Sequence, residues 1–474
     1  MSTVQSKILS SAWVLLLSIG SFANAAQPPD VVVSDPNLNT AMGTNALLYL
    51  TTGTANTAAG QQVLISTTTG YQNTAMGVAA LGSNTEGFLN SAIGAYSLAT
   101  NTTGSGNNAV GVNALALNTI GHDNSAIGVS ALYSNTTGNI NTAVGNYALT
   151  GNTTGSQNTA LGLNALSFNT SGGQNTAAGV NALAGNTTGA QNTAFGDAAL
   201  SSNTTGNWNT GTGLAALTQN TTGIYNTGTG VNALQSNTTC GGNTASGFPA
   251  LQNNTTGSYN TADGFASLIS NSTGSYNIAL GVNAGFNLTT GNSNIDIGNE
   301  GVAGEAGVIR IGSQGVQQQT YVAGIWGNIV RPGSPVFVDS HGRLGVVASS
   351  ERYKTDVAPM DSNSAKLQLL RPVTFHLKAD PAGGLQYGLI AEEVNKVYPD
   401  LVIRDDAGKI EGVRYDELAP ILLNEVQQQR QILTAQASQL GELKQQFAEL
   451  QELNRAMQVA LAEVQAKQSR VAMR

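Results

Sequence analysis

The chain has 474 residues and a formal net charge of −8, but its charges are gathered at the ends. Lys7 is followed by no Lys or Arg until Arg310, and the only acids between Asn39 and Gly298 are Glu86, Asp123, Asp197, Asp263 and Asp296. A middle without cations excludes phosphate-neutralising nucleic-acid binding there, and isolated acids exclude the paired carboxylates of glycoside hydrolysis.

Residues 1–25 read as a secretory signal peptide. Lys7 supplies the positive start, Trp13-Val14-Leu15-Leu16-Leu17 with Ile19 a short apolar run, and Ala23-Asn24-Ala25 a small-residue processing site. The run is shorter than the roughly 20 residues a membrane span requires, and no later segment is long and apolar enough to span. The expectation is export, with an extracellular, cell-surface or periplasmic destination. Residues 26–38 form a short leader.

From 39 to 312 one unit dominates. Asn recurs every seventeenth residue from Asn39 to Asn294, sixteen times without insertion or deletion. The fullest unit, Asn141 to Gln157, reads Asn-Thr-Ala-x-Gly-x-x-Ala-Leu-x-x-Asn-Thr-Thr-Gly-x-x. A fixed period of this size means stacked coils. Glycines at positions 5 and 15 (Gly145 and Gly155 here) read as corners that use glycine's backbone freedom. Leucine fills position 9 from Leu47 to Leu268, and Asn fills positions 1 and 12; both are expected to stack in columns, the Asn side chains bonding to one another. Sixteen coils rising about 4.8 Å each make a rod of roughly 75–80 Å. Frequent Gly and Thr, with no 3.6-residue stripe, argue against helix, and the unbroken register argues against disorder.

Few residues in the rod carry chemistry. Cys240 is the single cysteine and replaces a position-15 glycine; it reads as a tolerated substitution, with a bond between chains as the alternative. His122 and Asp123 lack a third ligand and read as a surface loop. The Asn-x-Thr tripeptides are products of the repeat. No metal site and no cofactor is expected. A single thin coil lined by Ala and Leu buries little, so several copies side by side are expected to bury more.

Asn-Thr-Ala-Val-Gly (Asn141 to Gly145) and Asn-Ser-Ala-Ile-Gly (Asn124 to Gly128) resemble the head repeats of trimeric autotransporter adhesins and related haemagglutinins. The resemblance implies a homotrimeric left-handed parallel β-roll and an adhesin-like role toward a cell-surface or glycan ligand. That family's usual repeat is slightly shorter, and its C-terminal membrane barrel has no counterpart in this sequence.

Residues 313–348 form a β-rich junction. Val308 to Gly312 echoes the repeat, and Tyr321 to Ile325, Val336 to Asp339 and Arg343 to Val347 carry strand patterns, with His341-Gly342 as a turn. Trp326 reads as buried packing.

The segment 349–420 is the most specific. Ser349-Ser350-Glu351-Arg352-Tyr353-Lys354, Leu370 to Phe375, Gln386 to Val394, Tyr398 to Val402 and Val413-Arg414-Tyr415, in that order, resemble the endosialidase-type intramolecular chaperone found at the ends of phage tail fibres and tailspikes. That resemblance implies an auto-cleaving trimerisation chaperone. Its nucleophilic serine stands five residues before its lysine, which maps to Ser349 and Lys354 and places the scissile bond between Ala348 and Ser349. Ser350 stands where the family often has Asp and is the rival nucleophile; Glu392 stands where Gln is common. Serine needs a base to take its proton, and lysine is one only when its amine is desolvated or beside a cation, for which Arg352 is the candidate. A spacing of five falls about 140° apart on a helix, so the dyad requires a turn. Such a site is at most a single-turnover serine peptidase.

Glu392 and Glu393 lie on a helix predicted over 389–397, as a solvated face or as contacts across a trimer; His376 reads as structural. Residues 421–474 form a coiled coil: from Leu422, Val426 and Gln429 to Gln468 and Val471, seam positions alternate spacings of four and three. The chain therefore reads as mainly β: a solenoid stalk, a small α+β chaperone domain and a coiled coil, forming an exported homotrimeric fibre. The alternatives are a prophage tail fibre or tailspike with the same chaperone, and an uncleaved stalk with an inactive one.

Overall fold

In each seventeen-residue unit only positions 2 to 4 have the backbone of a strand. Sixteen such strands, from Thr40–Met42 to Ile295–Ile297, stack in parallel with identical register, as Thr142, Ala143 and Val144 do against Thr159, Ala160 and Leu161. The computed structural model describes residues 33–323, 325, 335–339, 341–346, 349–405 and 407–472; the predicted signal peptide, Trp326 and Ala348 lie outside them. The chain folds as two compact units, Met1–Thr320 and Tyr321–Arg474.

The first unit is a parallel β-solenoid. The leucine column from Leu64 to Leu268 is fully buried, flanked by the alanines of positions 3 and 8. A single chain therefore encloses its own apolar core, with the leucines stacked inside the coils as the repeat predicts. The other half of the core is asparagine. Asn141 donates from its backbone N (3.0 Å) and Nδ2 (3.1 Å) to Oδ1 of Asn124, and from Nδ2 to the Gly155 carbonyl at 2.9 Å. Asn152 donates to Oδ1 of Asn135 at 2.8 Å and to the same Gly155 carbonyl at 2.9 Å. From coil 73 to coil 260 two buried polar ladders thus meet at one position-15 carbonyl, that of Cys240 in coil 226 and of glycine in the others, and bonded polar groups occupy space that apolar residues would otherwise fill.

The two glycine columns differ in their reasons. Position 5 is a matter of angle and of space: Gly145 sits at φ +136°, where a side chain is strained, and a Cβ there would collide with the Gly162 carbonyl. Position 15 is a matter of space alone. Its φ is ordinary, but a Cβ at Gly155 would collide with the Gly172 carbonyl and with Oδ1 of Asn152. The expected use of backbone freedom holds only for position 5. Left-handed backbone also occurs where glycine does not: Leu149 has φ +52°, Tyr147 +58° and Gln157 +61°, and most coils repeat this at positions 9, 7 and 17. Such residues cost about 1–2 kcal/mol each. In return each aims its N–H along the rod at a neighbouring coil, Leu149 to the Ala165 carbonyl at 2.9 Å and Tyr147 to that of Val129 at 3.0 Å.

Both ladder ends are closed by residues outside the repeat. Asn39 has no earlier coil, and Asp35 takes the missing place: Oδ1 accepts the Asn39 backbone N at 2.8 Å and Oδ2 its Nδ2 at 2.9 Å. These bonds hold the Asp35 carboxyl below its usual range. At the far end a shortened coil brings Ile309–Ile311 onto Ile295–Ile297, as the echo of the repeat predicts. There the Val308 N donates to Oδ1 of Asn294 at 3.1 Å, and the Glu305 carbonyl takes the place of the glycine carbonyl.

That last coil has one conflict. Asp296 stands in the alanine column, fully buried, with neither carboxylate oxygen bonded. Its register partner Arg310 turns instead to Glu305, at 2.6 Å. Burial, then repulsion from Glu305, raises the Asp296 pKa to about 6 despite the attraction of Arg310.

In the second unit Phe337–Val338 pairs antiparallel with Leu344–Gly345 around an Asp339 turn, as the pattern predicts. Tyr321 to Ile325 forms no strand among its described residues. The helix Ala391–Val397 packs on the strands Val402–Arg404 and Ile410–Val413 through Val394, Leu401, Val402, Val413 and Leu418. The final helix, Tyr415–Ala472, has 58 residues, a length of about 87 Å. All eleven apolar residues of its predicted seam are exposed, from Leu422 and Val426 to Val464 and Val471. Among the described residues no helix is long and apolar enough to cross a membrane.

Replacing Asn141 with Ala takes the acceptor from the Asn158 backbone N and from one Asn158 Nδ2 hydrogen, while Oδ1 of Asn124 keeps the backbone N of residue 141. At about 1–3 kcal/mol per unsatisfied group, amide exchange in coils 124–174 should accelerate at least a hundredfold. Thr154→Ala, on the exposed side, should leave exchange nearly unchanged. For Asp296 the raised pKa means that the folded state holds its proton more tightly than the unfolded chain. The stabilisation is complete below about pH 4 and is lost as pH rises through about 6. Asp296→Ala should therefore slow amide exchange of coil 294–312 more at pH 7.5 than at pH 4.5, by about 2 kcal/mol of difference; equal effects at both pH values would show that Asp296 is not charged in the fold.

Candidate cleavage site and chaperone domain

The turn that the Ser349–Lys354 spacing demands is present. Glu351–Tyr353 is a single 3-10 turn, entered by extended Ser350 and left by extended Lys354, and closed by Tyr353 N to the Ser350 carbonyl at 3.0 Å and Lys354 N to the Glu351 carbonyl at 2.9 Å. The reversal carries the lysine side chain back toward the serine. Lys354 Nζ lies 3.5 Å from Ser349 Oγ, the outer limit of a hydrogen bond. Both residues are exposed, as is Ser350. Ala348 lies outside the described residues, so only one side of the predicted scissile bond is placed. The Arg352 guanidinium sits 4.7 Å over the Tyr353 ring.

The other motif residues are tied to one another. Glu393 pairs with Arg371 through two bonds, 2.6 and 3.1 Å, within the same chain. The guanidinium holds the Glu393 carboxyl below its usual range. Glu392 is exposed on the same helix. His376 Nδ1 meets the Gly383 carbonyl at 3.0 Å, a structural contact as predicted. Three ties had no sequence signal of their own. The Tyr415 hydroxyl accepts the Leu389 backbone N at 2.7 Å, and it approaches so closely that a Cβ at Gly388 would meet it at 2.7 Å. Tyr398 donates to the Asn363 carbonyl at 2.8 Å. Asn424 donates to the Asp361 carbonyl and to Ser364 Oγ, both at 2.8 Å, fastening the start of the long helix to the 3-10 helix Asp361–Leu369.

In the rod, Cys240 is buried in its glycine slot. Its thiol donates to Oδ1 of Asn237 at 2.7 Å while its carbonyl still accepts from Asn226 and Asn237, and burial raises its pKa. This fits the tolerated substitution. His122 and Asp123 bond to each other at 2.9 Å on the exposed surface. The asparagines of the Asn-x-Thr tripeptides at position 12, such as Asn101, Asn135 and Asn152, are fully buried and offer no reachable glycosylation acceptor. Among the described residues no three His, Cys, Asp or Glu side chains gather as a metal site.

No curated protein and no solved structure matches the chain. The family model described as the chaperone of endosialidase matches residues 349–403, the segment that holds the turn, the Arg371–Glu393 pair and the helix Ala391–Val397.

Proposed function

We propose that the chain is an exported fibrous protein whose C-terminal segment assembles three copies of the rod and then releases itself by cutting between Ala348 and Ser349. The observation that carries this reading is the order of parts: a solenoid of sixteen coils, the chaperone match at 349–403, and a 58-residue helix whose heptad seam faces solvent. An uncovered seam of this length requires partner helices. The domain itself buries few apolar side chains and exposes Tyr353, Val357, Leu369 and Tyr387 by 63–80%, a surface suited to contact with further copies.

In the proposed cleavage, Lys354 Nζ takes the Ser349 hydroxyl proton. The freed Oγ attacks the Ala348 carbonyl carbon, the Ala348–Ser349 C–N bond breaks with a proton delivered to the Ser349 nitrogen, and water hydrolyses the resulting ester. An amine acts as this base only when desolvated. Lys354 is exposed in the single chain, so the assembled form is the competent one. Export rests on the N-terminal segment, with processing after Ala25.

A tail-fibre-like component with the same chaperone is the second reading, favoured by the family match itself. A mature N-terminus at Ala26 outside the cytoplasm supports the exported fibre; an intact Met1 on cytoplasmic protein supports the tail fibre.

Mass spectrometry of purified protein tests the cleavage. The parent chain should end at Ala348, with a separate fragment starting at Ser349. Ser349→Ala and Lys354→Gln should each stay uncut, reducing cleavage at least a hundredfold. A Ser349→Ala chain of the same shortened size would remove the assignment, loss of cutting in Ser350→Ala alone would move the nucleophile to Ser350, and an uncut parent chain would establish a permanent stalk.

A further inference from the structure

Leucines and asparagines fill the inside of the rod, yet one outer face is also apolar. Positions 4 and 6 flank the left-handed glycine and point outward in every coil. Met76 with Val78, Ile127 with Val129 and Leu161 with Leu163 are typical, each about 40–50% exposed. Every coil from 73 to 310 carries at least one large apolar side chain at these two positions. Where one of them is charged the other is aromatic: Phe195 beside Asp197, and Phe265 beside Asp263. The face is therefore an unbroken stripe. Position 14, across the coil, is mostly threonine, with Thr137 and Thr154 exposed.

We propose that this stripe is the surface through which copies of the chain pack side by side, parallel and in register, along the length of the rod. The proposal rests on the self-association read above and names its contact face. Three observations select a second copy as the occupant. The stripe repeats with the coil rise, about 4.8 Å, over more than a dozen coils, and an identical parallel rod matches that period without slippage of side chains. Nineteen large apolar residues, at roughly 70 Å² each, present on the order of 1,300 Å². That exceeds both the roughly 300–600 Å² of a typical monomer's largest apolar patch and the about 800 Å² each partner gives to a standard interface. The stripe carries no cation and only Asp197 and Asp263 as charges, so it offers nothing to a charged partner.

The test uses full-length protein with single cysteines and a hydrophilic maleimide. Cys240 is buried and present in all samples, so the parent chain sets the background. Ile127→Cys and Val129→Cys replace stripe residues; Thr137→Cys and Thr154→Cys replace exposed threonines. Mass by light scattering is read on each sample. The expected result is an oligomer in which the stripe cysteines react at least tenfold more slowly than the threonine-face ones. In 4 M urea, or at whatever concentration dissociates the oligomer, the difference should vanish. An oligomer whose stripe cysteines react as fast as the others overturns this proposal while leaving self-association intact. A monomer overturns both. Because all four changes lie on exposed side chains, an unaltered circular dichroism spectrum confirms that each variant is folded.

Discussion

The rod depends on one interaction, the carbonyl of the position-15 glycine accepting from two asparagines at once. Through Gly155 the ladder of Asn141 and the ladder of Asn152 become one network, and each coil hands that network to the next. A core with a single leucine per coil would be too thin to hold against solvent by apolar burial alone, at about 1.5–3 kcal/mol per leucine. The asparagines change the balance, because the buried amides of both ladders, Oδ1 of Asn271 apart, are bonded to neighbouring groups, and leaving one unsatisfied is costly. The rest follows: no side chain at position 15, a capping aspartate before the first coil, and left-handed residues that turn N–H groups along the axis.

The same network gives the proposed assembling segment a physical task. Its bonds specify that one coil sits on the next, but they are identical from coil to coil. Two copies displaced by a whole coil would lose little beyond the contacts at the ends. The C-terminal part is opposite in character. It holds most of the charge and the family match, and its seam is broken by Gln429, Gln436, Asn454 and Gln468, polar positions of the kind that fix register between helices. In the proposed function, helices that pair in one register bring chains together aligned, and a high local concentration then favours rod contacts.

Much of this was legible in the residues because repetition multiplies a weak signal. A lone Asn says little; sixteen at one spacing place a column, and the leucine column followed by the same reasoning. What escaped was either singular or spatial. Asp35 occurs once, four residues before Asn39, and nothing marks it as a cap until the ladder is seen to need one. Leu149 at positive φ could not be read, since leucine carries no preference for that region. Gly155 was assigned to backbone freedom when its neighbours in space, not its own torsions, require glycine. At the candidate site the family's spacing joined Ser349 to Lys354, and the structure places a turn between them. The ties from Tyr415 to Leu389 and from Asn424 to Asp361 span 26 and 63 positions, distances over which no local pattern speaks.

The central claim is that the coil network builds the rod while residues 349–474 align its copies. Refolding tests it most directly: the full chain carrying Ser349→Ala and a chain ending at Ala348 are each denatured, diluted from denaturant, and compared by sedimentation and amide exchange. The account predicts one oligomeric species with uniformly protected coils from the full chain, and from the shortened chain protected coils in a spread of assembly sizes. A shortened chain that refolds to the same single species at the same rate would contradict it.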